Sequence, residues 1–134
     1  MFTSNNYAKW YSRIVWLGVV LNMIFVVGTF FFPLAFMALL DIPAPPAIWV
    51  RTSGMLLCII SIFYIPGAVD PLRYRWTAIL AVVPSRAFGS TFFLTEVLAF
   101  HWPMGFLSIA LVDLTFGVVE GILLYKAFRL EPTA

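Results

Sequence analysis

Five ionisable side chains lie inside stretches that are otherwise apolar enough to cross a membrane: Arg51, Arg86, Glu96, Asp113 and Glu120. A charge at the centre of a membrane helix costs about 2.5–3.5 kcal/mol on insertion scales, so each of the five needs a partner or a purpose. Arg86 falls about ten residues, roughly 15 Å, into its segment. Asp113 falls at a similar depth in the next segment, counted from the opposite side, and the two are expected to pair near the midplane. Arg51 and Glu96 both lie toward the outer ends of their segments and form the next candidate pair. Glu120 is left toward the inner half, where Arg86 or the loop residues Arg73 and Arg75 can reach it. Two cations against three carboxylates leave one acid in excess, and such a group in a low dielectric is a candidate proton-exchanging site. The stronger reading is structural: Arg86, Asp113 and Glu120 form one triad that fixes helix register. The competing reading makes Glu120, Asp113 or Glu96 the coupling carboxylate of a transporter.

The spacing around these charges places them on defined helix faces. Arg86, Gly89, Phe93 and Glu96 share roughly 80° of helical arc, a stripe that must face protein. Asp113, Gly117, Glu120, Gly121 and Leu124 form a second stripe, and its Gly-x-x-x-Gly step lets backbones approach closely, within a bundle or across a homodimer. Arg51, Gly54, Cys58 and Ser61 repeat the first spacing, and Gly18, Asn22, Phe25 and Thr29 give a fourth polar or small face. Gly54, Gly89, Gly117 and Gly121 are therefore helix-packing candidates.

Four elements have to hold these faces together. The chain has 134 residues, 63% of them hydrophobic and 10% charged, with mean hydropathy +1.00, which marks an all-α integral membrane protein. Apolar segments run from about Ile14 to Phe32, Ile48 to Ile65, Trp76 to Phe100 and Phe106 to Phe128, each near the length a roughly 30 Å hydrocarbon core requires. Short connections predict one domain over residues 1–134, an antiparallel four-transmembrane-helix bundle with no room for a soluble catalytic domain. Asp70 and Pro71 suit the start of span three, Gly67 the end of span two, and Pro46 and Pro103 the openings of spans two and four. "LAFMALL", residues 34–40, either continues helix one past a bend at Pro33 or lies along the interface.

Lys9, Arg13, Arg73, Arg75, Lys126 and Arg129 fall on one side of this arrangement, so the positive-inside rule predicts both termini in the cytoplasm. Tyr11, Tyr64 and Trp76 are expected in the inner aromatic belt and Trp49 and Trp102 in the outer one. Arg73, Arg75, Trp76 and Trp102 are the candidate interface or lipid contacts. The first segment is too long for a signal-peptide core and reads as an uncleaved span.

Other chemistries find little support. The net charge of +2 arises from few groups, with no basic patch set among exposed polar residues, so nucleic acid is not an expected partner. There is one histidine, His101, so a bis-histidine haem within one chain is excluded, and one cysteine, Cys58, so an intrachain disulfide is too. No catalytic residues and no metal ligands stand out: there is no phosphate-binding glycine loop and no Ser/His/Asp or Cys/His set. No cofactor is identifiable, although the polar interior leaves room for a bound lipid or quinone.

The run "FYIPGAVDPLRYRWTAILAVVPSRAFGSTFF" and the later "ALVDLTFGVVEGILL" resemble small four-span bacterial integral membrane proteins of unassigned function. Those proteins share an Asp-Pro-x-Arg loop, a basic residue and a glycine in the next span, and an aspartate in the last. The likeness covers residues 63–124 and marks Asp70, Arg73, Arg86, Gly89 and Asp113 as the family pattern. It implies the bacterial cytoplasmic (inner) membrane and carries over no activity. The expected role is a non-catalytic subunit that anchors or organises a larger complex, such as an electron-transfer or quinone-linked one. Its partners would be the lipid bilayer and other membrane subunits or a second copy of itself. The alternative is a small homodimeric proton-coupled transporter, of a size resembling small multidrug transporters. Those carry their essential glutamate in the first span, where this chain has Asn22.

Overall fold

Proline placement decides where the helices break. The computed structural model describes residues 3–43 and 45–131; residues 1, 2, 44 and 132–134, including the chain ends expected in the cytoplasm, lie outside the described residues. The first helix, α1, spans Ser4–Phe31 and stops because Pro33 disfavours helical geometry at the residue before it. Phe32 accordingly sits at φ −131° and ψ 49°. Pro33 then opens α2, Pro33–Leu39, at the position where its missing N–H is harmless. This short helix packs back on α1, with the ring of Phe36 filling the space that a Cβ on Gly28 would take and meeting Phe25 edge-on at 4.9 Å.

Three further spans follow. The helix α3 covers Ala47–Val69, and α6 covers Gly105–Arg129. Between them, residues Arg75–Phe100 form one span of three pieces: α4 (Arg75–Leu80), a π-helical segment (Ala81–Ala87) and α5 (Phe88–Phe100). Pro84 lies inside the π-helical segment, where it cannot donate to the hydrogen-bond ladder and the wider turn accommodates the interruption. Four helices are thus long and apolar enough to cross a membrane, and no strand occurs among the described residues. The helices outrun the apolar segments. Residues 4–13 extend α1 because they have packing partners: Ser4 Oγ donates to Ala127 O at 2.7 Å, and the Lys126 ammonium lies over the Tyr7 ring.

The closest packing is of α1 against α3 and α6, and of α5 and the π-helical segment against α6. At the end of the bundle that carries Lys9, Arg13, Arg73, Arg75, Lys126 and Arg129, here the basic end, α3 also meets α4. Toward the opposite end, where α2 lies, the helices α3 and α5 share no extensive interface among the described residues. Two cores follow from this layout. Tyr11, Val15, Val19, Tyr64, Ala68, Ala78, Ala81, Val82 and Leu124 fill the basic half, while Met37, Ile42 and Val50 fill the α2 end.

Small residues and hydroxyl groups join the helices where the hydrophobic effect cannot, since lipid is as apolar as leucine. The Ser12 hydroxyl donates to Ala68 O, Asn22 Nδ2 donates to Ser61 Oγ at 3.0 Å, and Thr29 packs on Gly54. The polar stripes of spans one and two therefore meet each other. At the basic end a Cβ on Gly67 would lie 2.8 Å from the Ala78 nitrogen, so only glycine allows α3 and α4 to approach this closely.

Three sequence expectations change here. The helix α3 runs past Gly67 to Val69 because Gly67 serves the contact with α4. Asp70 does not cap span three, which begins at Arg75; its Oδ1 accepts the Arg73 N–H at 3.0 Å within the intervening turn. Tyr11 and Tyr64 do not line the interface: both are buried, with the Tyr11 hydroxyl donating to Ala78 O at 3.0 Å.

Gly67→Leu is expected to lower the unfolding midpoint in detergent, by an overpacking cost of about 1–3 kcal/mol. Gly121→Ala, whose Cβ meets Val82 at an ordinary 3.4 Å, should leave the midpoint near wild type. Equal responses would contradict the close contact between α3 and α4.

Candidate functional site

Arg86 stands at the centre of the bundle, 4% exposed, on the π-helical segment two residues after Pro84. Its Nη1 donates to Asp113 Oδ1 at 2.6 Å, and its Nε lies 4.0 Å from Glu120 Oε2. The first contact is a charge-assisted hydrogen bond and the second a longer ion pair. Glu120 is 1% exposed, and among the described residues its buried Oε1 and the buried Arg86 Nε have no hydrogen-bond partner. The guanidinium also lies over two aromatic faces, 5.6 Å from the Tyr64 centroid and 5.2 Å from that of Phe116. Ring quadrupoles favour a cation there, most of all where water is excluded.

Glycines make room for this group on three helices. A Cβ on Gly18 would lie 2.6 Å from Arg86 Nη2, one on Gly89 would lie 2.8 Å from Asp113 Oδ2, and one on Gly117 would lie 3.0 Å from Arg86 Cβ. Gly121 meets Val82 of the π-helical segment, so both glycines of the Gly-x-x-x-Gly step face contacts within this chain. Tyr64 is anchored in turn by a hydrogen bond between its hydroxyl and that of Ser85. Arg86, Asp113 and Glu120 are thus brought together, with Gly89 and Gly117 at their edges.

The second candidate pair is not brought together. Arg51 is exposed, and its Nε donates to Phe30 O at 3.2 Å, near the end of α1. Glu96 is half-buried on α5, and no ion pair joins it to Arg51 among the described residues. The cause lies in the packing: similar depth gives no contact when α3 and α5 diverge toward the α2 end. The loop arginines do not reach Glu120 either. Arg75 pairs with Glu131 and lies over Phe128, while the exposed Arg73 lies over Tyr74. Trp76 is exposed, and Trp102 packs on Phe106 at 5.4 Å.

Sequence reasoning missed the Tyr64 and Phe116 rings and the fit of Gly18 to the guanidinium. Pro84 was the available signal for the π turn, standing in mid-span just before the charge. Two cavities of about 320 and 350 Å³ adjoin the ion pair on its α2 side, and Asp113 lines both. Among the described residues, no group of three or more His, Cys, Asp or Glu side chains gathers as a metal site. Comparison with protein-family models, curated proteins and solved structures found no match to this chain.

Arg86→Met leaves two acids in the interior without their cation and should cost about 3–5 kcal/mol of stability. Adding Asp113→Asn and Glu120→Gln to it should recover most of that loss in thermal unfolding. A triple variant as unstable as Arg86→Met alone would show that the three charges do not compensate one another.

Proposed function

We propose that this chain is a non-catalytic membrane subunit that anchors or organises a larger complex in the bacterial cytoplasmic membrane, with electron-transfer and quinone-linked complexes as the class to examine. The observation that carries this reading is where the polar groups go. Arg86, Asp113, Glu120, Asn22, Ser61, Tyr11 and Tyr64 are turned toward one another or toward the backbone inside the bundle. At most a third of each span's most apolar stretch is buried within the chain, which leaves broad apolar faces for lipid and for neighbouring subunits.

The spans run antiparallel with both ends on the cytoplasmic side. In support, contacts between α1 and α3 pair rising with falling numbers, Ser12 with Ala68, Asn22 with Ser61 and Thr29 with Gly54. The Ser4 to Ala127 hydrogen bond and the Arg75 to Glu131 pair draw the start of α1, the start of α4 and the end of α6 to one basic end. The bacterial assignment rests on the resemblance carried by Asp70, Arg73, Arg86, Gly89 and Asp113. Two clusters account for that pattern: Asp70 with Arg73 in a turn, and Arg86 with Gly89 and Asp113 at the ion pair.

One observation favours the second reading, a homodimeric proton-coupled transporter. Asp113 lines two cavities while Glu120 lines neither, so Asp113 is the better placed coupling acid.

Extraction of the native protein in lipid nanodiscs, followed by native mass measurement, is expected to recover it with larger chains. A lone homodimer would overturn the anchoring role. The transporter reading would then predict that Asp113→Asn abolishes proton-coupled uptake in liposomes while the protein stays folded.

A further inference from the structure

The two cavities beside the ion pair share Phe25, Leu57, Ile109 and Asp113. At about 320 and 350 Å³ each falls within the range of small-molecule sites, roughly 300–1,000 Å³. Their walls are mainly apolar, and the polar groups are few and fixed, as in sites that orient a lipophilic ligand by one end. Asn22 Nδ2 is committed to Ser61, and Arg86 Nη1 to Asp113. Asp113 itself is not sealed. Its side chain is 20% exposed, against 5% for Arg86, which lines one of the two cavities, and 1% for Glu120, which lines neither, so the Asp113 carboxylate is the most open member of the triad and the one that lines both.

An acceptor-only group at the polar end selects a ligand that can donate. Charge narrows the choice. Arg86 already neutralises Asp113 at 2.6 Å and Glu120 stands behind it, so the site holds no surplus positive charge for an anionic head group. The walls favour a flat ring: Phe25, Trp49, Phe93 and Phe106 line one cavity, and the Phe93 and Phe106 rings stack with centroids 5.6 Å apart at 11°. From this placement we infer that the recess beside Asp113 binds a neutral lipophilic phenol, its hydroxyl donating to the Asp113 carboxylate and its ring and tail lying on the aromatic and aliphatic walls. The site lies wholly within one chain and does not rest on the anchoring role.

The test is equilibrium binding of 4-nonylphenol to the full chain in lipid nanodiscs, with empty discs subtracted, beside 4-nonylanisole, which keeps the shape and lacks the donor. The phenol is expected to bind saturably and about tenfold more tightly than the ether, because a hydrogen bond to a charged group is lost with the methyl cap. Ile109→Phe, which adds bulk to the wall that the two cavities share, should weaken the saturable binding of the phenol while the protein elutes as wild type. Equal affinity of phenol and ether would overturn the inference, and so would non-saturable uptake alone. The ligand comparison uses the wild-type chain, so it decides the matter even where Ile109→Phe fails to fold.

Discussion

A single cation near the middle of the third span constrains the rest of the bundle. Arg86 is nearly inaccessible, so its insertion into a membrane depends on what the other spans bring to it. The last span supplies Asp113, Glu120 and the ring of Phe116, the second supplies the ring of Tyr64, and the first supplies the gap at Gly18. The third span holds its own charge on a π-helical segment beside Pro84. Every span contributes to the surroundings of one guanidinium, which fixes the rotation of each helix about its own axis. A buried ion pair is weak support for stability as such, but it penalises any register in which the charge loses its partners.

Around that centre the bundle is sorted by depth. At the basic end, hydroxyls of Ser4, Tyr11 and Ser12 reach backbone carbonyls of neighbouring helices, and Gly67 brings α3 against α4. Beyond the ion pair, Asn22 meets Ser61 and Thr29 meets Gly54, which ties α1 to α3. Among the described residues, nothing comparable ties α3 to α5. Between them, toward the α2 end, lies one of the two cavities, bounded by α2 and by the aromatic side chains of α5 and α6. The same geometry that keeps Arg51 from Glu96 therefore opens the recess at Asp113.

Much of this was legible in the sequence. Hydropathy located four apolar spans, helical spacing picked out the stripes, and counting depth from the loops put Arg86 level with Asp113. Depth and facing were insufficient where the lateral order of helices mattered, as Arg51 and Glu96 show. Tyr11 and Tyr64 were misread because a tyrosine near a span boundary resembles a belt residue until its neighbours are known. The π turn was hidden because periodicity counted at 100° per residue assumes an unbroken α-helix, and Pro84 breaks it just before the charge. Gly18 stood on the right face of span one, but only the third dimension placed the guanidinium against it.

Most polar groups of the interior face one another or the backbone, and the exterior is apolar. That arrangement depends on the central ion pair of Arg86 with Asp113. The most direct measurement is dipolar recoupling by solid-state NMR between the Arg86 guanidinium nitrogens and the Asp113 carboxyl carbon in lipid bilayers, with Asp113→Asn as the difference control. A hydrogen bond of 2.6 Å from Nη1 to Oδ1 predicts strong dephasing that Asp113→Asn weakens or shifts. Its absence in the wild-type chain would show that Arg86 has another partner and that the bundle is organised differently.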